Sequence, residues 1–214
     1  MSNTAYLFIE SLQGTYEAGG VLMLPILITG AFGFYFLYAS WWRIGGDYFK
    51  TDVVKNVEDL RISIEKEGFT QAKKILSSKS GIVARELCYA LDLVGLSAVE
   101  FQQSIFLRQM QSSRYLEKGT HVISMMARAA PLLGLLGTVT GMVATFNVIT
   151  LYGNQNPVLM ADGISEALIT TQSGLLIAFP LTLLKQRLEE RILLIQEQIE
   201  LGVTIIANSM AEES

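Results

Sequence analysis

The chain has 214 residues, 50% of them hydrophobic, and a mean hydropathy of +0.38. That is too apolar for a typical soluble domain and indicates a membrane protein, while the net charge of −4 gives no indication of nucleic-acid binding. The single cysteine, Cys88, cannot form an internal disulfide, and neither it nor His121 has sequence neighbours typical of a catalytic, cofactor or metal site. We therefore expect an all-α membrane protein that is not an enzyme and uses no cofactor or metal.

Three segments are long enough to cross the roughly 30 Å core of a bilayer, which takes about 20 apolar residues. We place the spans at 19–42, 129–152 and 164–184; the only charge within them is Glu166, in the third. The first segment is too long for a signal-peptide core and no Lys or Arg precedes it, so we expect an uncleaved span.

Basic residues are confined to two parts of the chain. All 16 Lys and Arg lie in 43–128 or 185–214, and none lies in 1–42 or 129–184. By the positive-inside rule, this distribution places the N-terminus outside and the C-terminus in the cytoplasm. The remaining predicted segments are an outer N-terminus (1–18), a cytoplasmic helical domain (43–128), an outer turn (153–163) and a cytoplasmic C-terminal helix (185–214).

Within the predicted cytoplasmic domain the apolar spacing is helical, with Gly68 and Gly81 as breaks. Between 97 and Pro131 the only glycine is Gly119 and there is no other proline, so we predict one long helix over 97–152. At 1.5 Å per residue it would be ~80 Å long and would extend far into the cytoplasm beyond the membrane.

The third span also continues into the cytoplasm, because apolar residues recur at intervals of four and three in an 11-residue repeat. They are Leu184, Leu188, Ile192, Ile195, Ile199, Val203, Ile206 and Met210. Two interpretations remain open: this helix packs on its own loop domain, or several copies pack around a common axis between subunits.

The second and third spans each carry a face of small and polar residues. On the second these are Gly134, Gly137, Thr138, Gly141 and Thr145; on the third, Gly163, Ala167, Thr170 or Thr171, Gly174 and Ala178. In lipid, small residues let helices approach closely and polar residues must face protein or water. We expect the two faces to meet each other or to line a shared lumen, with Thr138 ~15 Å from Arg128 near the bilayer middle and Glu166 ~28 Å from Lys185 near the outer edge.

These spans lack an acid in their middle. No carboxylic acid and no basic side chain lies between Arg128 and Asp162 or between Glu166 and Lys185. Hydroxyl groups orient water but cannot hold a proton or balance a cation, so an ion-conducting role requires a carboxylate from another chain. The alternative is a membrane scaffold whose threonines only bond to carbonyls of their own helices.

Two stretches, "APLLGLLGTVTGM" (130–142) and "DGISEALITTQSGLLIAFP" (162–180), resemble the signature of the ExbB/TolQ/MotA proton-channel family. The resemblance assigns Thr138 and Thr171 as pore threonines, Glu166 as the glutamate at the outer mouth or partner contact, and Pro180 as the third-span proline. To the ion pathway we add Thr170, Gln172 and Thr145, and to helix packing Gly134, Gly137, Gly141 and Gly174. The short outer turn is closest to ExbB and TolQ.

The resemblance implies a cyclic homopentamer in the bacterial inner membrane, with a periplasmic N-terminus, around an ExbD- or TolR-like single-span partner that supplies a transmembrane aspartate. It also implies a TonB- or TolA-like transducer that carries the work of the protonmotive force to the outer membrane. Polar Thr170, Gln172 and Ser173 depart from the family's usual third span and leave proton and sodium both open. A MotA-like stator for motility is the functional alternative, and contact with anionic membrane lipid at the inner face is a minor expectation.

Overall fold

The computed structural model describes Gly14, Tyr16 and residues 18–48, 52–79, 81–153 and 157–212. All regular secondary structure in these ranges is helical. The helices are α1 (Met23–Tyr48), α2 (Asp52–Ser77), α3 (Ile82–Asp92), α4 (Ala98–Glu117), α5 (Thr120–Tyr152) and α6 (Pro157–Glu212). Most of the predicted outer N-terminus and residues 154–156 of the predicted outer turn lie outside the described residues.

Three stretches of helix are long and apolar enough to cross a membrane. They lie within Met23–Ile44, Ala98–Tyr152 and Pro157–Glu212. The all-helical class and the number of spans predicted from the sequence are therefore confirmed.

The predicted single helix over 97–152 is instead two helices, α4 and α5. They are separated by Lys118 and Gly119, where Gly119 has a φ of 96°. That conformation is open to glycine and strained for residues with a side chain, so it ends one helix before the next begins.

The carbonyl group of Lys118 at this break accepts two side-chain hydrogen bonds. Ser40 Oγ donates to it at 3.2 Å, and a terminal nitrogen of Arg43 donates to it as well. The same guanidinium lies 5.4 Å from the ring centroid of Tyr115. These donors replace the helical partner that the carbonyl lacks, which stabilises the interruption.

The chain divides into two compact units. The span unit comprises Met1–Leu37 and Thr120–Lys185, and the loop unit comprises Tyr38–Gly119 and Gln186–Ser214.

Within the span unit, α1 packs against α6 through glycines. A methyl group on Gly30 would lie 3.0 Å from Cδ1 of Ile177, and one on Gly33 would lie 2.6 Å from Cδ1 of Leu181. Three aromatic side chains of this part of α1, Phe32, Phe34 and Tyr35, are exposed, with Tyr35 65% exposed. This is the pattern expected of a helix with one face toward lipid.

The loop unit confirms both predicted glycine breaks. Gly68 has non-helical angles (φ 80°) inside α2, and Gly81 (φ 144°) immediately precedes α3. The start of α4 is fixed by a capping box, in which Ser97 Oγ accepts from the Glu100 amide and the Glu100 carboxylate accepts from the Ser97 amide. Ser97 Oγ also donates to the Glu100 carboxylate at 2.7 Å, and this bond, followed by the one from the Ser97 amide, lowers the pKa of Glu100.

The apolar repeat in the C-terminal part of α6 is buried inside the loop unit of the single chain. Its members there with at most 4% exposure are Leu188, Ile192, Ile195, Ile199 and Ile206. Space is made for this packing by Gly202, where an added methyl group would lie 3.0 Å from Cδ1 of Leu87. Of the two interpretations, packing on the chain's own loop domain is therefore the one that the structure favours.

The loop unit also buries an ion pair. The Glu86 side chain on α3 is 3% exposed, and Arg108 on α4 binds both of its oxygens, at 2.6 Å from Nε and 3.1 Å from Nη2. The guanidinium also lies 4.8 Å from the ring centroid of Tyr89. Two helices are thus joined by a bidentate pair and a cation–π contact.

Candidate ion pathway

In the middle of the α5–α6 contact the two backbones approach closely. A methyl group on Gly134 would lie 2.9 Å from the Thr170 carbonyl oxygen and 3.0 Å from Cα of Thr171. On Gly137 it would lie 2.5 Å from Cβ of Thr170. Real Cβ atoms do not approach so closely, so glycine at both positions lets the helices meet.

The same close approach continues toward both ends of the pair. A methyl group on Gly141 would lie 2.7 Å from the Gly163 carbonyl oxygen and 2.9 Å from Cβ of Ala167. On Gly174 it would lie 2.6 Å from the Ala130 carbonyl oxygen. The small faces predicted on the second and third spans therefore meet within one chain.

Three of the predicted pathway threonines bond to their own helices. Thr138 Oγ1 donates to the Leu135 carbonyl at 2.7 Å, Thr145 Oγ1 to the Gly141 carbonyl at 3.0 Å, and Thr170 Oγ1 to the Ala167 carbonyl at 2.9 Å. Local bonds of this kind are common for threonine in membrane helices. This part of the site matches the alternative of threonines bonding only to their own helices.

These three threonines differ in exposure. Thr145 and Thr170 are 3% and 1% exposed, because each is covered where α5 and α6 meet. Thr138 is half-buried, so part of its hydroxyl oxygen is open. Within one chain, Thr138 is thus the residue of the three that can reach a second molecule.

Thr171 forms its hydrogen bond across the helix pair. Its Oγ1 donates to the carbonyl oxygen of Gly134 on α5 at 2.9 Å, and its side chain is half-buried. This donor joins the two spans at the level where Gly134 lets the backbones approach. Thr171 is therefore not explained by bonding within its own helix.

Gln172 is exposed at the side of a groove of about 940 Å³ between α5 and α6. The groove is otherwise mostly apolar, with Arg128 and Thr182 as its other polar members. Its apolar lining residues are Ala127, Pro131, Leu132, Leu175, Leu176, Ala178 and Phe179. Pro180 lies inside α6 next to this lining and is half-buried.

Glu166 lies on α6 near the start of α1, half-buried, with its carboxyl group against Gly20. This neighbour was not predicted, and its only sequence signal is the glycine pair at the beginning of the first span. Two further polar residues had no signal in the sequence. Thr140, two positions beyond Thr138, is exposed and bonds to the Leu136 and Gly137 carbonyls, and Glu86 forms the buried ion pair of the loop unit.

Comparison with known proteins identifies the family. The model of the MotA/TolQ/ExbB proton channel family matches residues 70–201, more than half of the chain. The putative biopolymer transport protein ExbB-like 1 of Synechocystis sp. is 30% identical over 172 residues, covering 78% of this chain and 66% of that protein. The putative ExbB homolog of Methanothermobacter thermautotrophicus is 27% identical over 176 residues, covering 80% and 60%.

A biopolymer transport protein ExbB of Pseudomonas putida is 33% identical over 115 residues, covering 49% of this chain and 35% of that protein. The chain thus spans less than two thirds of the length of the relatives it matches. The three apolar helices and these relatives together identify a membrane protein of the ExbB type. On the family match over more than half of its length, the chain belongs to the MotA/TolQ/ExbB proton channel family.

Proposed function

We propose that this chain is the ExbB/TolQ-like subunit of a proton-driven motor in a bacterial inner membrane. Copies of the chain, as a homopentamer, surround an ExbD- or TolR-like single-span partner in a lumen lined by Thr138 and Thr171. A TonB- or TolA-like transducer then carries the work to the outer membrane. One proton crossing 100 mV supplies ~2.3 kcal/mol, so a few protons drive a conformational cycle.

The observation that carries this proposal is the absence of a mid-membrane acid from spans that contain polar side chains. No Asp, Glu, His, Lys or Arg lies between Arg128 and Asp162 or between Glu166 and Lys185. A half-buried Thr138 lies in the first of these stretches and Thr171 in the second. Polar groups with no charge of their own fit a housing that receives its titrating carboxyl group from the partner.

The hydroxyl geometry supports a particular kind of contact. Thr138 donates its proton to the Leu135 carbonyl, and Thr171 donates its proton to the Gly134 carbonyl. Each hydroxyl oxygen therefore keeps lone pairs that can accept a hydrogen bond or coordinate a cation. Such oxygens favour a protonated carboxyl group or a cation over a carboxylate, as expected of a pathway for H⁺ or Na⁺.

The proposed topology places 1–18 and 153–163 in the periplasm, and 43–128 and 185–214 in the cytoplasm. The support is the distribution of the 16 basic residues, none of which lies in 1–42 or 129–184. In this orientation Glu166 lies at the periplasmic end of the third span.

The test uses the chain co-expressed with the ExbD/TolR-like protein of the same genome and reconstituted in liposomes with an imposed potential. We expect proton flux only when the partner is present, and a loss of about tenfold or more in Thr138→Val. Thr140→Val is the matched control, since Thr140 lies on the same helix and its hydroxyl also bonds to carbonyls of that helix. It should stay within about twofold of the native flux.

Assembly is followed by size-exclusion chromatography, so that a loss of flux is not confused with a loss of the complex. Threonine-dependent flux from this chain reconstituted alone would contradict the proposal. A MotA-like stator is separated from the transport role by the sequence of the partner.

A membrane scaffold is the second candidate, favoured by the burial of Thr145 and Thr170 at the helix contact. It predicts no potential-driven flux with any partner. It also predicts that Thr138→Val has no more effect than the control.

A further inference from the structure

The side chain of Glu166 occupies the space beside Gly20, just before α1 begins. A methyl group built on Gly20 would overlap Oε1 of Glu166 and would lie 2.5 Å from its Cδ and 3.2 Å from its Cγ. The 2.5 Å distance is shorter than real Cβ contacts, so a side chain at position 20 would require the end of the glutamate to move. The end of the glutamate therefore fills the volume that any residue larger than glycine would need.

Gly20 is constrained in a second, independent way. Its φ of 61° lies in the left-handed region, which asparagine tolerates better than other residues with a side chain. An asparagine at position 20 therefore satisfies the backbone but displaces the Glu166 side chain from its place beside Gly20. The two requirements can be separated by experiment.

The contact lies next to the packed N-terminal end of α1. Gly20 is three residues before Met23, the first residue of α1. Met23 and Ile26 are 5% and 0% exposed. Glu166 therefore contacts the chain where the first span begins and is already packed.

We infer that Glu166 is a positioning residue. Through its contact with Gly20 it fixes the start of the first span against the outer part of the third. This goes beyond its assignment as an outer-mouth glutamate, and its effect on ion coupling rests on the proposed function. The glutamate acts on the pathway by holding two spans of the same chain together.

The contact is tested by cysteine cross-linking in the full chain with its partner, in a Cys88→Ser background that removes the single native cysteine. After mild oxidation, we expect Gly20→Cys with Glu166→Cys to retain at least about fivefold fewer maleimide-reactive thiols than Gly20→Cys with Leu168→Cys in a Glu166→Ala background, which removes the same clash at position 20. Leu168 is the matched control because it is 65% exposed, two residues along the same helix. Equal thiol counts in the two pairs, or disulfide-linked dimers instead of an internal bond, would overturn the inference.

The positioning role is tested by an exchange, removing the side chain at position 166 and placing one at position 20. We expect Gly20→Asn to lower partner-dependent proton flux by about tenfold, and Gly20→Asn with Glu166→Ala to recover most of that loss. Because Glu166→Gln keeps the shape of the side chain, its partner-dependent flux should be about tenfold higher than that of Glu166→Ala.

Two outcomes of the exchange are decisive. If Glu166→Gln is as inactive as Glu166→Ala and the exchange restores nothing, the charge acts on the ion or the partner and the positioning role is wrong. If the native complex shows no flux at all, the proposed function fails, while the cross-linking result still decides the contact.

Discussion

Thr171→Val separates the structural and conducting roles of the hydroxyl that links α5 and α6. Valine keeps nearly the same shape and removes the donor that lies 2.9 Å from the Gly134 carbonyl. That carbonyl is inside a helix and keeps its backbone partner, so the variant loses one interhelical hydrogen bond and buries no wholly unpaired group. The expected structural effect is therefore small.

The size of the effect follows from measurements on membrane helices. Interhelical side-chain hydrogen bonds there average ~0.6 kcal/mol and reach ~1.7 kcal/mol. These values correspond to a roughly threefold to twentyfold change in the folding equilibrium, against a typical stability of about 5–15 kcal/mol. Thr171→Val should therefore remain folded and assembled, so that a loss of flux of about tenfold or more must come from the missing hydroxyl group in the pathway.

The assay combines thermal unfolding of the detergent-solubilised complex with potential-driven flux in liposomes. Thr171→Ser keeps the donor and should retain most of the flux, while Thr150→Val removes an exposed hydroxyl that bonds only to the Phe146 carbonyl of its own helix at 2.9 Å. Native flux in Thr171→Val would refute the pathway assignment. Disassembly of the variant, with a cost well above ~2 kcal/mol, would refute the reasoning about the magnitude.

Three further predictions concern the packing and chemistry of the helices. Arg108→Met leaves the 3%-exposed Glu86 side chain with only the longer 3.5 Å contact to Arg85 and should cost up to about 3–5 kcal/mol of stability in thermal or denaturant unfolding, most of which Glu86→Leu should restore in the double variant. Because burial, followed by a nearby carboxylate, raises the pKa of the Cys88 thiol, the thiolate fraction near neutral pH is lower than for a free cysteine. Maleimide labelling should thus be slow in the native protein, accelerate at a higher pH than for a free cysteine, and match a free cysteine after denaturation. Gly137→Ala places a methyl group 2.5 Å from Cβ of Thr170 and should destabilise the span unit by about 1–3 kcal/mol, whereas adding Thr170→Gly should reverse this; unchanged thermal stability in Gly137→Ala would contradict the close approach.

Much of the helical organisation could be predicted from the sequence because it depends on local pattern. Apolar runs located the three spans, and Gly68 and Gly81 located the breaks around α2 and α3. Gly119 could not be assigned in this way, since a glycine inside a helical pattern continues the helix or ends it according to its tertiary contacts. Here the bonds from Ser40 and Arg43 to the preceding carbonyl stabilise the end of the helix.

The residues of the candidate pathway and the faces that carry them could be predicted, but the individual contacts between those residues could not. Thr170 and Thr171 are adjacent and chemically identical, so the sequence cannot say which of them is covered. Successive residues of a helix point about 100° apart, and the rotation of α6 is set by the close approach at Gly134 and Gly137. That rotation covers Thr170 completely and directs Thr171 to a carbonyl of the other helix.

The threonine bonds also bear on which ion the proposed pathway carries. With the hydroxyl proton of Thr138 donated to the Leu135 carbonyl, its oxygen can accept from a protonated carboxyl group or coordinate Na⁺ with the same lone pairs. The hydroxyl group therefore does not separate the two ions, and the exposed Gln172 carbonyl would serve either. The distinction needs flux measured with choline in place of sodium on both sides of the membrane. We expect the partner-dependent flux to persist at the native rate in choline and to remain sensitive to Thr138→Val. A flux that stops in choline and returns with sodium would show that Na⁺ is the coupling ion and that the proton assignment is wrong.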